Sequence, residues 1–515
     1  MSERLQKAVS SALEAGYQLE KEAFNFLEKL SKTEDPTTII EKAVKKAQTL
    51  PQKPLFIGRS LLEELLTEET KKPPPPTMPI LSHPKLEAKK IAFKPYTKEI
   101  ESNIKVIEDP TERTCTTGSI DDYLEYFRDR FRRIEKILRQ RIDIKGAMPI
   151  SEALKAPKNS KVKIIGMLTE KRESKQRIFF KVEDMNAAAT VFVPQGIEET
   201  TRAKAQALLL DQVVCIIAVR SRNDLLVLED VLFPEVPQRT PHKASIPVYA
   251  ALISDLHVGS KLFMREEFNR FLLWLNGKLG NAYQREVAGK IKYVIIAGDI
   301  VDGIGVYPGQ AKELAIEDLY QQYRMASKFI EQIPDYIELI VIPGNHDASR
   351  KALPQPAIPK EYAENIYEAR KVHSLGNPCT ISLHDVELLV YHGRSLDDVI
   401  ATAPNQSFKE PEKAMKLLLQ CRHLAPIYGQ KTPISPENRD FMVIERVPDI
   451  FHAGHIHVEK HEVYRGVLLV NSGAWQRQTV FQKKMGLEPT PGIVPIVDLQ
   501  TLQVFTVNFQ STTLN

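Results

Sequence analysis

Apolar residues in the first fifty positions recur at helical spacing: Leu5, Val9 and Leu13, then Phe24, Leu27 and Leu30. Asp35-Pro36 opens a further helix as N-cap and first helical residue. Residues 1–50 therefore read as a helical module whose apolar face is a private core or a docking surface rather than a catalytic site. KKPPPPTMP, with Pro73 to Pro76 and Pro79, fixes an extended run inside a polar, weakly periodic stretch over 51–118, a spacer more readily than a ligand. Ser119 then caps an amphipathic helix within 119–145, where Ile120, Leu124, Phe127, Phe131, Ile134 and Leu138 alternate four and three apart. That stripe is expected to pack and the Arg-rich remainder to face water.

From about Lys161 the period changes to two. The runs KVKIIGMLTEKRESKQRIFFKVED, AAATVFVP, QVVCIIAVRS and DLLVLEDVLFP predict about five short strands over 146–240, the pattern of a small antiparallel barrel of oligonucleotide-binding (OB) type. Lys171, Arg172, Lys175 and Arg177 at its first turn, followed by Phe179 and Phe180, offer charge and aromatic faces to a single strand. The plainer alternative puts one Phe inside the barrel and leaves the basic turn as ordinary surface. Over 246–515, hydrophobic strand-like runs repeatedly end in loops carrying Asp, Asn or His, as expected of an α/β domain with its site at the strand ends. The predicted fold class is multidomain α+β.

Composition sharpens this only in places. A chain of 515 residues with 43% hydrophobic and 26% charged residues exceeds one domain and has the apolar material for real cores. No apolar run reaches the roughly 20 residues of a membrane span, and MSERLQKAVS lacks the apolar core of a signal peptide. Cys115, Cys215, Cys379 and Cys421 form no CxxC pair, so neither a disulfide framework nor a thiolate zinc site is suggested. The reading is a soluble protein of a reducing, cytoplasmic compartment, with no membrane partner. With 70 Lys and Arg against 66 Asp and Glu, the net charge of +4 is too small for bulk attraction to nucleic acid. Any such contact must be local.

The strand ends carry the chemistry. VYAALISDLHVG supplies Asp255 and His257, KYVIIAGDIVDG supplies Asp299, LIVIPGNHD supplies Asn345 and His346, LLVYHGRS supplies His392, and DIFHAGHIHVEKH supplies His455 and His457. Carboxylate, amide and imidazole donors without thiolate suit Mn, Fe or Zn in a catalytic centre. Two divalent cations against the two carboxylates leave about +2 for a phosphodiester and a bound hydroxide. Each fragment alone is weak; their joint order, DxH, GDxxD, GNHD, HG and GHxH, is what points to a dimetal phosphoesterase. Around these motifs, His452 and His461 read as structural, Asp302 as a group that orients a ligand, Arg394 and Ser395 as phosphate contacts or turn residues, and Trp475 as a cleft or core residue.

These five motifs resemble the calcineurin-like metallophosphoesterase superfamily over 246–515. GNHD in place of GNHE, and GDIVDG without the Arg of GDxxDRG, resemble its repair nucleases more than its protein phosphatases. The order of helical module, linker, capped helix, barrel and phosphoesterase resembles the small subunit of archaeal D-family DNA polymerase. That resemblance implies one metal held by Asp255, His257 and His457, another by Asn345, His392 and His455, Asp299 bridging both, and His346 acting as acid or charge-stabilising group. It implies two divalent ions, most often Mn2+, and a proofreading 3′→5′ exonuclease in which a metal-bridging hydroxide attacks the phosphodiester. The implied partners are a large catalytic subunit in a heterodimer, single-stranded or mispaired 3′ ends, and a sliding clamp, for which no docking peptide stands out. The implied location is the cytoplasm, at the nucleoid. With GxxxxGK[ST] absent and no GxGxxG after a strand, polymerisation is expected to reside elsewhere. A catalytically silent scaffold and a free-standing phosphatase remain alternatives.

Overall fold

The protein was described through a computed structural model covering residues 3–15, 17–31, 35–49, 56–70, 93–175, 177–221, 225–484 and 486–511. The chain divides into two units, Met1–Ile91 and Ala92–Asn515.

In the first unit the helices Glu3–Glu14, Lys21–Leu30, Pro36–Thr49 and Arg59–Thr70 pack together, with Gln18–Leu19 and Phe56–Ile57 paired in parallel. Leu5, Ala8, Leu27, Ile40, Ala43 and Leu62 belong to one buried cluster, in which the alanines let helices approach closely. Leu13, expected on the apolar face, is 55% exposed. The helical unit also runs past residue 50, because Ile57 and Leu62 complete its core. The proline run at 73–79 lies outside the described residues.

In the second unit five strands close into a barrel: Lys161–Ser174, Arg177–Glu183, Ala188–Val193, Leu225–Leu232 and Val213–Arg220, in that spatial order. Every pair is antiparallel except Ala188–Val193 against Leu225–Leu232. Alternation decides the two phenylalanines: Phe180 is 1% exposed among the barrel residues, whereas Phe179 points outward against Phe192, ring centroids 4.9 Å apart. The basic turn is partly tied down, since Lys171 Nζ donates to the carbonyls of Gln206 and Leu208, and Arg172 pairs with Glu170.

The helix Ile120–Arg139 begins with a capping box between Ser119 and Asp122. Its Phe131, Ile134 and Leu138 cover outward barrel residues Ile165, Met167, Val213 and Cys215. Two expectations fail here. Ile120 and Leu124 are 80% and 49% exposed, because the first turns extend beyond the surface the helix covers, and Arg130, expected in water, is fully buried. Its guanidinium meets Asp440 at 2.8 Å, Tyr126 at 2.9 Å and the Pro426 carbonyl at 2.8 Å, so partners replace solvent.

The largest part is a sandwich of two six-stranded sheets. One runs His373–Ser374, Glu338–Ile342, Ile291–Ala297, Tyr249–Ile253, Ile493–Asp498, Val504–Asn508; the first four are parallel and the last two antiparallel additions. The other runs Lys460–Tyr464, Val467–Asn471, Ile450–Ala453, Val386–Tyr391, Cys379–Leu383, Ile104–Glu108, with a parallel centre and antiparallel edges. Ile104–Glu108 thus leaves the expected 51–118 linker to become an edge strand. Period two sorts each strand: Ala250 and Leu252 face the second sheet with Leu388, Val390 and Ile450, while Ala251 and Ile253 face the helices carrying Phe268, Phe271, Tyr323 and Phe329. The helices Leu396–Thr402 and Pro411–Cys421 cover the other outer face. Among the described residues no helix is long and apolar enough to cross a membrane.

Candidate metal centre

All five motif loops leave the carboxyl ends of parallel strands in the two facing sheets, so they converge. Asp255 and His257 follow Tyr249–Ile253, Asp299 follows Ile291–Ala297, Asn345 and His346 follow Glu338–Ile342, His392 follows Val386–Tyr391, and His455 and His457 follow Ile450–Ala453. Backbone hydrogen bonds lash these loops together: Asp255 N donates to Gly298 O, His257 N to Asp299 O, and Gly454 N to His392 O, at 2.9–3.0 Å. Five of the candidates, Asp255, His257, Asp299, His455 and His457, hold left-handed backbone conformations with φ between 53° and 68°. Each costs on the order of 1 kcal/mol or more in a non-glycine residue, strain of the kind that gathers at functional sites.

The glycines before the candidate ligands have a steric role. A Cβ on Gly344, just before Asn345, would overlap the Asp299 carboxylate, and one on Gly298 would lie 2.6 Å from His392 Nδ1. Only a bare backbone lets the loops approach this closely.

Two side-chain groups form. In one, His457 Nε2 lies 3.2 Å from both Asp255 Oδ1 and His257 Nε2. In the other, His392 Nε2 lies 3.0 Å from Asn345 Oδ1 and 3.4 Å from Asp299 Oδ2, and the His455 ring centroid is 5.2 Å from that of His392. Asp299 Oδ2 is also 3.8 Å from His257 Nε2, so this carboxylate stands between the two groups. Asp255, His257 and His457, and separately Asp299, His392 and His455, offer donor atoms within 4.8 Å of one another. His257, Asp302 and His346 form a third such set.

The donor chemistry fits cations. His392 Nδ1 is 2.8 Å from the Ala297 carbonyl and His257 Nδ1 is 3.0 Å from Asp302 Oδ1. Each acceptor holds the proton on Nδ1, which turns the Nε2 lone pair toward the oxygens of the site. Asp255 Oδ1 is buried with no hydrogen-bond partner. Lone pairs facing lone pairs need positive charge between them. The field shows the same demand: burial depresses both rings, yet Asp302 and Asp299 for His257, and Asp299 and Asp255 for His392, outweigh it and raise each pKa to about 9. Burial raises Asp255 and Asp299, but the imidazoles around them, His457 and His392 foremost, win and hold both carboxyls below the usual range.

His346 is set apart. Its Nδ1 is 2.7 Å from the Asp302 carbonyl, its Nε2 is 4.0 Å from Asp299 Oδ2, and its ring meets that of His257 edge-on at 4.6 Å. Burial pushes its pKa down to about 4, helped by His257, so the ring is neutral with Nε2 open.

The neighbouring residues sort clearly. Asp302 stands behind His257 and receives Gln310 and Gln476. Ser395 is consumed in a turn, bonded to Tyr391 and to the Leu424 carbonyl. Trp475 is 1% exposed against Phe268 and Phe271, hence core, while its backbone N–H supports the Asp255 carbonyl. His452 and His461 lie on strands, the first buried against Ser472 and the second exposed beside Glu459. Arg394 lies in the loop after His392.

Several participants carry no sequence signal. Asp397 Oδ2 lies 3.3 Å from His455 Nε2, and Gln482 meets His457 Nδ1 at 2.9 Å. Both come from helices outside any motif. Asp347 closes GNHD and was visible there; it accepts from Gly344 N and Ile300 N and from the Tyr323 hydroxyl, tying two ligand loops together. Burial and the Asp299 charge raise its pKa to about 6.

Among known proteins, residues 250–461 match the family of DNA polymerase alpha/epsilon B subunits. The chain is 39% identical over 444 residues to the DNA polymerase II small subunit of Archaeoglobus fulgidus, covering 86% of each chain. It is 38% identical over 407 residues to that of Methanocaldococcus jannaschii, covering 78% of this chain and 68% of the relative. To that of Pyrococcus furiosus it is 41% identical over 390 residues, covering 75% of this chain and 63% of the relative.

Proposed function

As this chain belongs to the DNA polymerase II small-subunit family of archaeal D-family polymerases, we propose that it is the exonuclease subunit of a two-subunit replicative polymerase. Its sandwich is then a calcineurin-like metallophosphoesterase that hydrolyses DNA phosphodiesters from the 3′ end, and its five-stranded barrel an OB-fold. The observation that carries this reading is the pair of donor groups flanking Asp299, with the orphaned Asp255 Oδ1 and the two histidines whose Nδ1 protons are held outward.

Asp255, His257 and His457 would hold one divalent ion, Asn345, His392 and His455 the other, and Asp299 would serve both. Bound there, two such ions, manganese by family analogy, activate water at neutral pH and neutralise charge on the phosphoryl oxygens. The chain's own residues do the rest. Asp302 and the Ala297 carbonyl fix the tautomers of His257 and His392, so the ligand nitrogens need no reorganisation. His346 is neutral in the free site with Nε2 open; when the phosphodiester anion enters, Nε2 takes up a proton from solvent and passes it to the leaving oxygen. Asp255 and Asp299 remain ionised throughout, held so by the rings around them.

Against a catalytically silent scaffold, all seven expected ligand positions carry a residue type that can bind a metal, which supports the nuclease reading. In this reading the polymerising centre lies on a large partner subunit, and the complex acts on mispaired or single-stranded 3′ ends in the cytoplasm, at the nucleoid, together with a sliding clamp. The test is degradation of 5′-labelled single-stranded DNA with Mn2+ beside an Asp299→Ala control. A ladder of shortened labelled products, absent from the control, is expected. Uncut DNA both for the isolated chain and in the presence of the large subunit would overturn the proposal.

A further inference from the structure

Arg394 follows His392 by two residues, in a loop that the centre uses only for its histidine. Its Nε is buried without a hydrogen-bond partner, and no ion pair or hydrogen bond engages its guanidinium among the described residues. Asp397 feels its charge but is paired with His455. The contrast with other arginines nearby is plain. Arg350 is spent on Glu437 and the Pro354 carbonyl, and Arg422 on the carbonyls of Ile444 and Glu445. A buried Nε without a partner is costly and calls for an explanation, and the rest of this half-buried guanidinium is open to a ligand.

A second cation belongs to the Asn345 loop. Lys351 Nζ lies 2.7 Å from the Asn345 carbonyl and 3.2 Å from the Asp347 carbonyl, so its ammonium is fixed behind the Asn345 loop. Burial lowers its pKa, the charges of Asp299 and Asp347 pull it back up, and the charge of Arg394 lowers it again. Neither cation forms an ion pair with Asp255 or Asp299. Lys351 feels Asp299 and Asp347 and offsets part of their charge without pairing with either side chain. Two cations held near one another without an ion-paired anion make a field for a phosphate, and a guanidinium presents the forked donors that a phosphate accepts.

We propose that Arg394, supported by the field of Lys351, is a phosphate subsite beside the metal centre that takes the internucleotide phosphate next to the scissile one. This rests on the nuclease reading above and adds to it a reason for preferring a polynucleotide over an isolated phosphodiester. Substrate lacking the flanking phosphate leaves the subsite unused.

The experiment uses the full chain and Arg394→Gln, with Arg394→Lys to keep the charge but lose the fork. Binding of a short fluorescent deoxythymidine oligomer is followed by anisotropy against salt in the presence of EDTA. Removing one phosphate contact should lower the slope of log affinity on log salt by about 0.7 for a single strand in Arg394→Gln, and leave it nearly intact in Arg394→Lys. With Mn2+, the loss of kcat/KM on the oligomer in Arg394→Gln should exceed the loss on bis(p-nitrophenyl) phosphate by about tenfold or more. An unchanged salt slope, or equal losses on both substrates, overturns the subsite. If the unaltered chain cuts the small diester but never DNA, the nuclease reading fails by itself, and the salt slope still decides whether Arg394 grips a phosphate.

Discussion

His452 sits fully buried in the second sheet, with Nε2 3.0 Å from Ser472 Oγ and Nδ1 without a partner. Burial pushes its pKa down to about 3, so the folded chain keeps this ring neutral while the unfolded chain protonates it near 6.5. Between those values the unfolded state binds the extra proton, and stability present above pH 6.5 is lost as pH falls toward 3. The His452→Leu variant lacks that proton uptake. Relative to it, the unaltered chain should lose about 1.4 kcal/mol per pH unit across the window, as read from urea unfolding at a series of pH values. Parallel stability curves for the two proteins would contradict a neutral buried His452. The same scale shows why residue identity was only half of the information. Nothing in GHIH distinguishes His455 from His457, yet one faces Asp397 and the other Asp255.

The helix Ile120–Arg139 joins barrel and sandwich through one buried ionic cluster. Arg130 reaches Asp440 and Tyr126, and His423 Nε2 reaches the same Asp440 oxygen at 2.8 Å. Burial raises Asp440, but His423 and Arg130 outweigh it and keep the carboxylate charged. Removing the cation alone strands that charge. Arg130→Ala should therefore cost about 3–5 kcal/mol, whereas replacing Arg130 and Asp440 together with apolar residues should cost much less. Chemical denaturation of the single and double variants checks both; a single variant within about 1 kcal/mol of the parent, on the order of a surface pair, would mean the cluster is not a latch. From the sequence, this helix showed its cap and its period, which are local properties. It did not show that Arg130 would turn inward, because that depends on an Asp 310 positions away.

Across the whole molecule, every candidate ligand from Asp255 to His457 falls inside Ala92–Asn515, as do the strands that aim them. A chain beginning at Ala92 should then bind Mn2+ with the stoichiometry of the full chain. Isothermal titration would show this, and loss of binding on removing the first unit would contradict it. The near balance of charge, +4 overall, leaves no bulk attraction for nucleic acid, so the DNA contact proposed for this chain would be made at local clusters.

The sequence by itself determined the features that reside in short stretches: the strand that buries both faces, the polar residue at its end, the donor types suited to divalent ions, the cap of the long helix and the two-residue period of the barrel. Those follow from backbone geometry and side-chain chemistry within about a dozen positions. The tertiary structure alone decided which loops meet, since His257 and His457 approach to 3.2 Å only when two separate sheets face each other. It also drew Ile104–Glu108 into the second sheet, placed Phe180 rather than Phe179 inside the barrel, and brought Asp397 and Gln482 against their histidines. A period gives the face a residue occupies, but the partner on that face is chosen by long-range pairing and by the burial it satisfies.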